Sequence, residues 1–149
     1  MKIIPISPDN IVHHSAQIPG CYCTHAHAKA ICETGIAFAA VNPEGLTVAM
    51  AGVMKLWPGV GEGWSFITDK ARLPFFLHRA VFRQVELVAK NWGLHRIHSH
   101  TKQGDLRSER WMVALGFNNE GAMVQYTADK QTVTIWSKTW TRSQSQQSE

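Results

Sequence analysis

The sequence predicts an α/β (α+β) fold in which helices cover both faces of a central, mixed, mostly antiparallel twisted sheet. Two observations carry this reading. From Trp64 to Phe117 the chain runs as a short apolar strand (WSFIT), a basic turn (Asp69-Lys70-Ala71-Arg72), a long amphipathic helix, a second strand (HRIHSHT) and a short helix closing at Leu115-Gly116-Phe117. A strand–helix–strand unit within one sheet crosses over right-handed and leaves its two strands parallel. On either side lie segments of period-two alternation joined by short turns, the pattern of antiparallel strands. Six or seven strands are therefore expected, antiparallel except where Trp64 to Thr68 and Ile97 to Thr101 run parallel across the long helix.

A chain of 149 residues suits one domain with a two- or three-layer core. Residues 1–140 read as that domain, and 141–149 (TRSQSQQSE) as a polar flexible tail with no apolar anchor. No apolar run approaches the roughly 18 residues of a membrane helix, so no membrane partner is expected. The opening MKIIPISPDN lacks a basic region followed by an apolar core, which argues against a secretory signal. Three cysteines, an odd number, fit a reducing cytoplasm better than a disulfide framework. The net charge of +4 would suit an acidic partner. Lys and Arg are scattered rather than massed, however, and nucleic acid is not the expected one.

In chain order, Lys2 to Ile6 alternates as an opening strand ended by Pro8. Asp9 and Asn10 are suited to cap a short helix through His14. Pro19-Gly20 breaks the chain, and Thr24 to Glu33 reads as a second helix with Ala26, Ala30 and Ile31 inward. Gly35 to Val41 is a small-residue strand and Asn42-Pro43-Glu44-Gly45 a turn. In the next strand, Leu46 to Leu56, the residues Leu46, Val48, Met50, Met54 and Leu56 share a face. Pro58-Gly59 and Gly61 then turn the chain into Trp64 to Thr68. From Pro74 to Asn91, Leu77, Val81, Val85, Val88 and then Trp92 recur at spacings of three and four, and Phe76, Ala80 and Leu87 widen that face. Pro74 suits the first helical turn and Gly93 a left-handed cap. Asp105 caps the short helix, which turns Leu106, Trp111 and Leu115 inward and stops at Gly116. Ala122 to Thr127 and Thr132 to Lys138 read as final strands, joined by Ala128-Asp129-Lys130-Gln131.

Three groups of residues bear on chemistry. Cys21-Tyr22-Cys23-Thr24-His25-Ala26-His27 contains metal-ligating types, but structural zinc sites use pairs two to four residues apart. No second pair follows at a suitable distance, and Cys32 lies toward the end of a helix, so no metal is expected. In the strand at 95–101, Arg96, His98 and His100 share one face and Ile97 and Ser99 the other. A histidine there has an ordinary pKa near 6.5, suited to base work at neutral pH. Glu62, just before the preceding strand, is a rival base. Arg79 and Arg83 read as the wet face of the long helix. Finally, six tryptophans are many for this length. Trp57, Trp136 and Trp140 exceed what one small core needs, which points to an interface with a protein partner or in a homodimer.

The order strand, basic turn, helix, strand, helix ending in Leu-Gly-Phe resembles the acyl-CoA-binding half of the GNAT N-acyltransferases, and the resemblance extends from about Gly35 to Trp140. It implies that acetyl-CoA lies on the strand at Trp64 to Thr68, its pantetheine held by the amides of Phe66, Ile67 and Thr68. The pyrophosphate would sit at the start of the next helix, where unpaired amides carry partial positive charge. In that family the strand holding His98 and His100 splays from its neighbour, and the acceptor amine reaches the thioester through the gap. His98, His100 and Glu62 are then the candidate bases. The family's loop, Arg/Gln-x-x-Gly-x-Gly/Ala, is matched only at Arg72. Phe75, Phe76 and Leu77 stand where glycines would let the backbone approach phosphate, and Pro74 removes an amide. Arg72 and Arg79 would supply the attraction instead, so acetyl-CoA binding is expected to be weak. Met112 occupies the position of the tyrosine that protonates the departing thiolate, and Asp105 that of an asparagine.

In these departures the chain is similar to the GNAT-like proteins of short-tailed bacteriophages, including small internal virion proteins. Two functions follow. One is a phage-encoded GNAT-fold protein whose degenerate acyl-CoA site leaves it a binding or structural role in the host cytoplasm or the virion, which the missing glycines and Met112 favour. The other is an active acetyl-CoA-dependent N-acetyltransferase acting on an amine.

Overall fold

A computed structural model describes residues 2–16, 23–68 and 75–141. In chain order these form β1 (Lys2–Pro5), α1 (Pro8–Ser15), α2 (His25–Thr34), β2 (Gly35–Val41), β3 (Thr47–Trp57), β4 (Val60–Ile67), α3 (Phe75–Asn91), β5 (Arg96–Lys102), α4 (Leu106–Ala114), β6 (Asn118–Met123) and β7 (Val133–Thr139). One sheet of seven strands has the order β1-β2-β3-β4-β5-β7-β6. Every neighbouring pair is antiparallel except β4 and β5, which are parallel across α3, as the crossover requires. No helix among the described residues is long and apolar enough to cross a membrane. The expectations for Pro19-Gly20, the Asp69–Arg72 turn, Pro74 and residues 142–149 lie outside the described residues.

The sheet is covered on both faces. Ile11 of α1 and Ala28 and Ile31 of α2 bury Ala39 and Met50 on one side. On the other, Val88 of α3 and Met112 and Leu115 of α4 bury Val53, Ile97 and Trp136. Strand β3 is thus buried on both faces, Met50 toward one helix layer and Val53 toward the other, and Leu46 before it is exposed. The single apolar face expected of this strand is two, because a central strand of a three-layer fold has no wet side.

Local chemistry sets the helix ends. Ser7 caps α1: its hydroxyl accepts from the Asn10 amide while the Asn10 side-chain oxygen accepts from the Ser7 amide. Asp9 and Asn10 therefore lie inside the first turn rather than capping it. Thr24 caps α2 through the His27 amide, 3.1 Å away. Ala28 and Ile31 are its buried residues, and the expected Ala26 and Ala30 are exposed, since neither falls on the arc that those two define. On α3, Phe76 and Leu87 face solvent while Leu77, Val88 and Ala89 are buried. Asp105 caps α4 as expected, but Leu106, six residues from buried Met112, falls on the outer side.

Two strand boundaries differ from expectation for a stated reason. Strand β4 begins at Val60, because Gly59 (φ +82°) completes the turn by itself. Gly61 is a strand residue pressed against its neighbours: a Cβ there would lie 3.1 Å from Val53 Cγ1 and 3.2 Å from Leu94 Cδ1. Strand β6 spans Asn118–Met123 instead of Ala122 to Thr127, with a bulge between Asn119 and Gly121 that breaks its alternation. Beyond it, Gln125 and Lys130 take positive φ, and the Tyr126 amide donates to the Gln131 carbonyl.

Two of the tryptophans expected at an interface are explained by packing. Trp136 is in the core and donates from Nε1 to Thr101 Oγ1 at 2.9 Å. Trp140 donates to Glu86 Oε2, also at 2.9 Å. Trp57 is 59% exposed. Lys138 joins the α3–α4 layer to β7: it donates to Glu86 and to the Leu115 carbonyl at the end of α4, and lies 4.2 Å from the Phe82 ring. Burial by itself would raise the Glu86 carboxyl, but hydrogen bonds from Lys138 and Trp140 outweigh it and hold its pKa below the ordinary value.

Candidate functional site

Strands β4 and β5 are registered at only three pairs, Val60↔Arg96, Gly61↔Ile97 and Glu62↔His98. Beyond these β4 continues to Ile67 and β5 to Lys102 without further registered pairs. Each strand is held along its length by its other neighbour, β4 by β3 and β5 by β7, so the two halves of the sheet diverge from a fork. Gly63 stands at the fork. A Cβ there would lie 3.5 Å from Ile97 Cγ2 and 4.0 Å from Ser99 Cβ, so the absent side chain leaves the throat open. The segments expected to be parallel, Trp64 to Thr68 and Ile97 to Thr101, are the walls of this gap for most of their length.

Alternation sends residues of β4 and β5 to opposite faces. Glu62 and His98 are registered partners on the α1/α2 side, and Glu62 is therefore a strand residue and not a loop residue before it. The Glu62 Oε1 and His100 Nδ1 atoms are 3.7 Å apart, too long for a direct hydrogen bond and within ion-pair range once the imidazole is protonated. Tyr126 meets the His100 ring in a T-shaped contact with centroids 5.1 Å apart. Burial pushes the His100 pKa below 6.5, the Glu62 carboxylate opposes that shift, and His98 adds to it. Arg96, on the same face, is bound through both terminal nitrogens to Glu120, whose carboxyl falls to about 2 under hydrogen bonds from Arg96 and Ser137. The bulge in β6 brings Glu120 to this position. Arg96 is thereby occupied, and Glu62 is the carboxylate at the gap.

On the α3/α4 side the gap opens into a cavity of about 190 Å³ whose lining includes Gly63, Ser65, Ile67, Leu77, Ser99 and Met112. Trp111 also lines it, and its Nε1 donates to His78 Nδ1 at 3.0 Å, tying α4 to the first turn of α3. Of the residues expected to hold a cofactor, Ile67 lies on this cavity. Phe66 packs on the opposite side with Trp64, centroids 5.5 Å apart. The Thr68 amide and hydroxyl both donate to the Val48 carbonyl at 3.2 Å. By alternation the amides of Gly63, Ser65 and Ile67 point toward the gap. Arg79 is exposed on α3, two residues from cavity-lining Leu77, and Arg72 lies outside the described residues. Met112 is only 7% exposed, so an apolar thioether fills the place where the resemblance leads one to expect a phenol.

Among the described residues no group of three or more His, Cys, Asp and Glu side chains could hold a metal ion. Cys21 lies outside them, and His25 is paired with Asp9 at 2.9 Å. Sequence reasoning placed Ser99 on the face opposite the histidines but assigned it no role. It took Gly63 for part of a turn region and passed over Tyr126. The signals were the alternation around Ser99 and the three glycines at every second position from Gly59, a spacing that fits an extended segment as well as a turn.

No family model and no curated protein sequence matches this chain. Solved structures do. A chimera of the SpeG spermidine N-acetyltransferase from Vibrio cholerae and hSSAT superposes with a TM-score of 0.69 at 11% identity, over 93% of this chain and 96% of that one. The ribosomal-protein-S5-alanine acetyltransferase from Vibrio fischeri gives 0.67 at 15% identity, over 92% and 91%. SpeG from Vibrio cholerae with manganese ions gives 0.67 at 11%, over 93% and 92%. The fold is that of the GNAT acyltransferases. In this GNAT fold Gly116, at φ +84°, ends α4 and lets buried Phe117 return to the core, as the Leu-Gly-Phe closing led one to expect.

Proposed function

We propose that this GNAT-fold chain is an N-acyltransferase that moves an acetyl group from acetyl-CoA to an amine through the gap between β4 and β5. One observation carries the reading: pairing stops at Glu62↔His98, leaving an opening with Glu62 and His100 on one side and a cavity on the other. The thioester arm would enter along the Gly63, Ser65 and Ile67 amides. The phosphates would lie toward the first turn of α3, with Arg72 and Lys70 as the charged partners. The amine arrives as an ammonium, with an ordinary pKa near 10.4, and has to shed a proton before it can attack. Desolvation lowers the His100 pKa, which favours the neutral ring that can take that proton, directly or through one water, and Glu62 stabilises the imidazolium that results. Nitrogen then bonds to the carbonyl carbon and loses its second proton to water, and sulfur departs with the electrons of the carbon–sulfur bond.

The test is thiol release from acetyl-CoA with a panel of amines that includes spermidine and an alanine peptide, acceptors suggested by the names of the structural neighbours. Wild-type turnover should fall on the order of 100-fold or more in Glu62→Gln and His100→Gln. No thiol release above background with any amine would sink the reading.

A second reading rests on the apolar character of the site. Met112 replaces the phenol, and Phe75, 74% exposed, opens α3 where glycines are expected. These favour a binding or structural component of the kind that short-tailed phages carry in their virions, with Phe75 and Trp57 turned toward a protein partner. Such a protein would bind CoA without turnover, or not at all.

A further inference from the structure

We infer that Ser99 holds the sulfur of the departing CoA, a role that deepens the acyltransferase reading and rests on it. The reaction needs help at two places, the amine that loses a proton and the sulfur that gains negative charge. Met112 has no proton to offer the second. Three observations converge on Ser99. It is the first residue of β5 beyond the last pair with β4, and so stands at the fork. It is 9% exposed and lines the cavity on the α3/α4 side, facing away from His98 and His100. Its hydroxyl has no hydrogen-bond partner among the described residues, whereas the next hydroxyl on that face, Thr101, is engaged by Trp136. Opposite it, Gly63 contributes no side chain, and the place where its Cβ would be is 4.0 Å from Ser99 Cβ. A thioester in this throat has its carbonyl carbon open to an amine from the Glu62 and His100 side and its sulfur on the Ser99 side.

The bookkeeping of the step is complete without a further reactant. The ammonium gives one proton to His100, and its nitrogen then forms the new bond to carbon and sheds a second proton to water. The carbon–sulfur bond breaks with both electrons on sulfur, and the Ser99 hydroxyl donates a hydrogen bond to that thiolate without giving up its proton. A hydroxyl is too weak an acid to protonate a thiolate whose ordinary pKa is about 8.5, so CoA leaves as the thiolate or takes its proton from water.

The experiment measures bound CoA directly. The ultraviolet absorbance of the thiolate, followed against pH, gives the ionisation of the CoA thiol in complex with wild type, Ser99→Ala and Ser99→Thr. In wild type and Ser99→Thr the thiol should ionise at roughly pH 7.5. In Ser99→Ala it should return to about 8.5, with CoA affinity unchanged within about twofold. In turnover, Ser99→Ala should lose roughly 10- to 100-fold in kcat with acetyl-CoA, and far less with an aryl thioester whose leaving thiolate needs no support. The same ionisation in all three proteins, or an equal loss on both thioesters, overturns the role of Ser99 and leaves the acyltransferase reading standing. Failure of CoA to bind any of the three removes both.

Discussion

His14 lies on the inner side of α1, 4% exposed, with its Nε2 buried and without a partner among the described residues. Burial pushes its pKa below the ordinary 6.5, and the neighbouring His13 adds to the effect. As pH falls through about 6.5, the unfolded chain therefore takes up a proton that the folded chain refuses. Stability drops over that interval and levels off only once the pH passes below the folded-state pKa. His100, also lowered, contributes in the same sense. Thermal melts taken from about pH 7.5 to about pH 5 should show a falling midpoint, less steep in His14→Leu and separately less steep in His100→Gln. A His14→Leu slope equal to that of wild type would mean that His14 is protonated without cost. Of these residues, sequence alternation placed His98 and His100 on one face of their strand, whereas Glu62 was read as preceding a strand to which it belongs. Alternation put Ser99 on the opposite face but gave it no role, because a single serine names no chemistry by itself.

Among the elements, β4 was the hardest to read and is the most informative. Its glycines look like turn residues, yet Gly61 and Gly63 are part of a strand, and glycine serves a different purpose in each neighbour. In β3, a Cβ at Gly52 would lie 2.3 Å from the Ile36 carbonyl oxygen and 2.7 Å from Trp64 Cζ2, so the indole packs directly against the backbone there. At Gly63 the nearest contact is an ordinary 3.5 Å. Gly52→Ala should accordingly cost about 2 kcal/mol or more in unfolding free energy, while Gly63→Ala should stay within about 0.5 kcal/mol and narrow the gap. Urea unfolding of both variants decides this, and equal destabilisation would contradict the packing described. The amphipathic helices, by contrast, declared themselves through their spacing. Errors fell on residues off the buried arc, Ala26 and Ala30 in α2, Phe76 and Leu87 in α3 and Leu106 in α4. Strand β6 was misplaced because its bulge interrupts alternation in a polar stretch, Asn118-Asn119-Glu120-Gly121, that reads as a turn.

For the molecule as a whole, the order of periods along the chain was enough to give six or seven strands, one parallel pair and two helix layers, and the sheet has seven. Each crossover and hairpin has few ways to close. On the acyltransferase reading, affinity for acetyl-CoA belongs to this larger scale, because the missing glycines would shift the attraction from preorganised amides to side-chain charge. Acetyl-CoA should bind no tighter than about 100 micromolar, more weakly as salt rises, and Arg72→Ala should weaken it further. Calorimetry at low and high salt measures all three. Micromolar affinity indifferent to salt and to Arg72→Ala would show that backbone amides suffice without glycine.

The fork carries one more consequence. Edge strands normally lie at the rim of a sheet, where unspent amides and carbonyls are met by water or guarded by charge. Here two such edges lie inside the molecule, facing one another between halves that share a seam of three residue pairs. Whatever occupies the space finishes the sheet as well as filling it, and couples the motion of the first four strands to that of the last three. On the proposed reading, an acyl-CoA in the gap would be cargo and crossbeam at once.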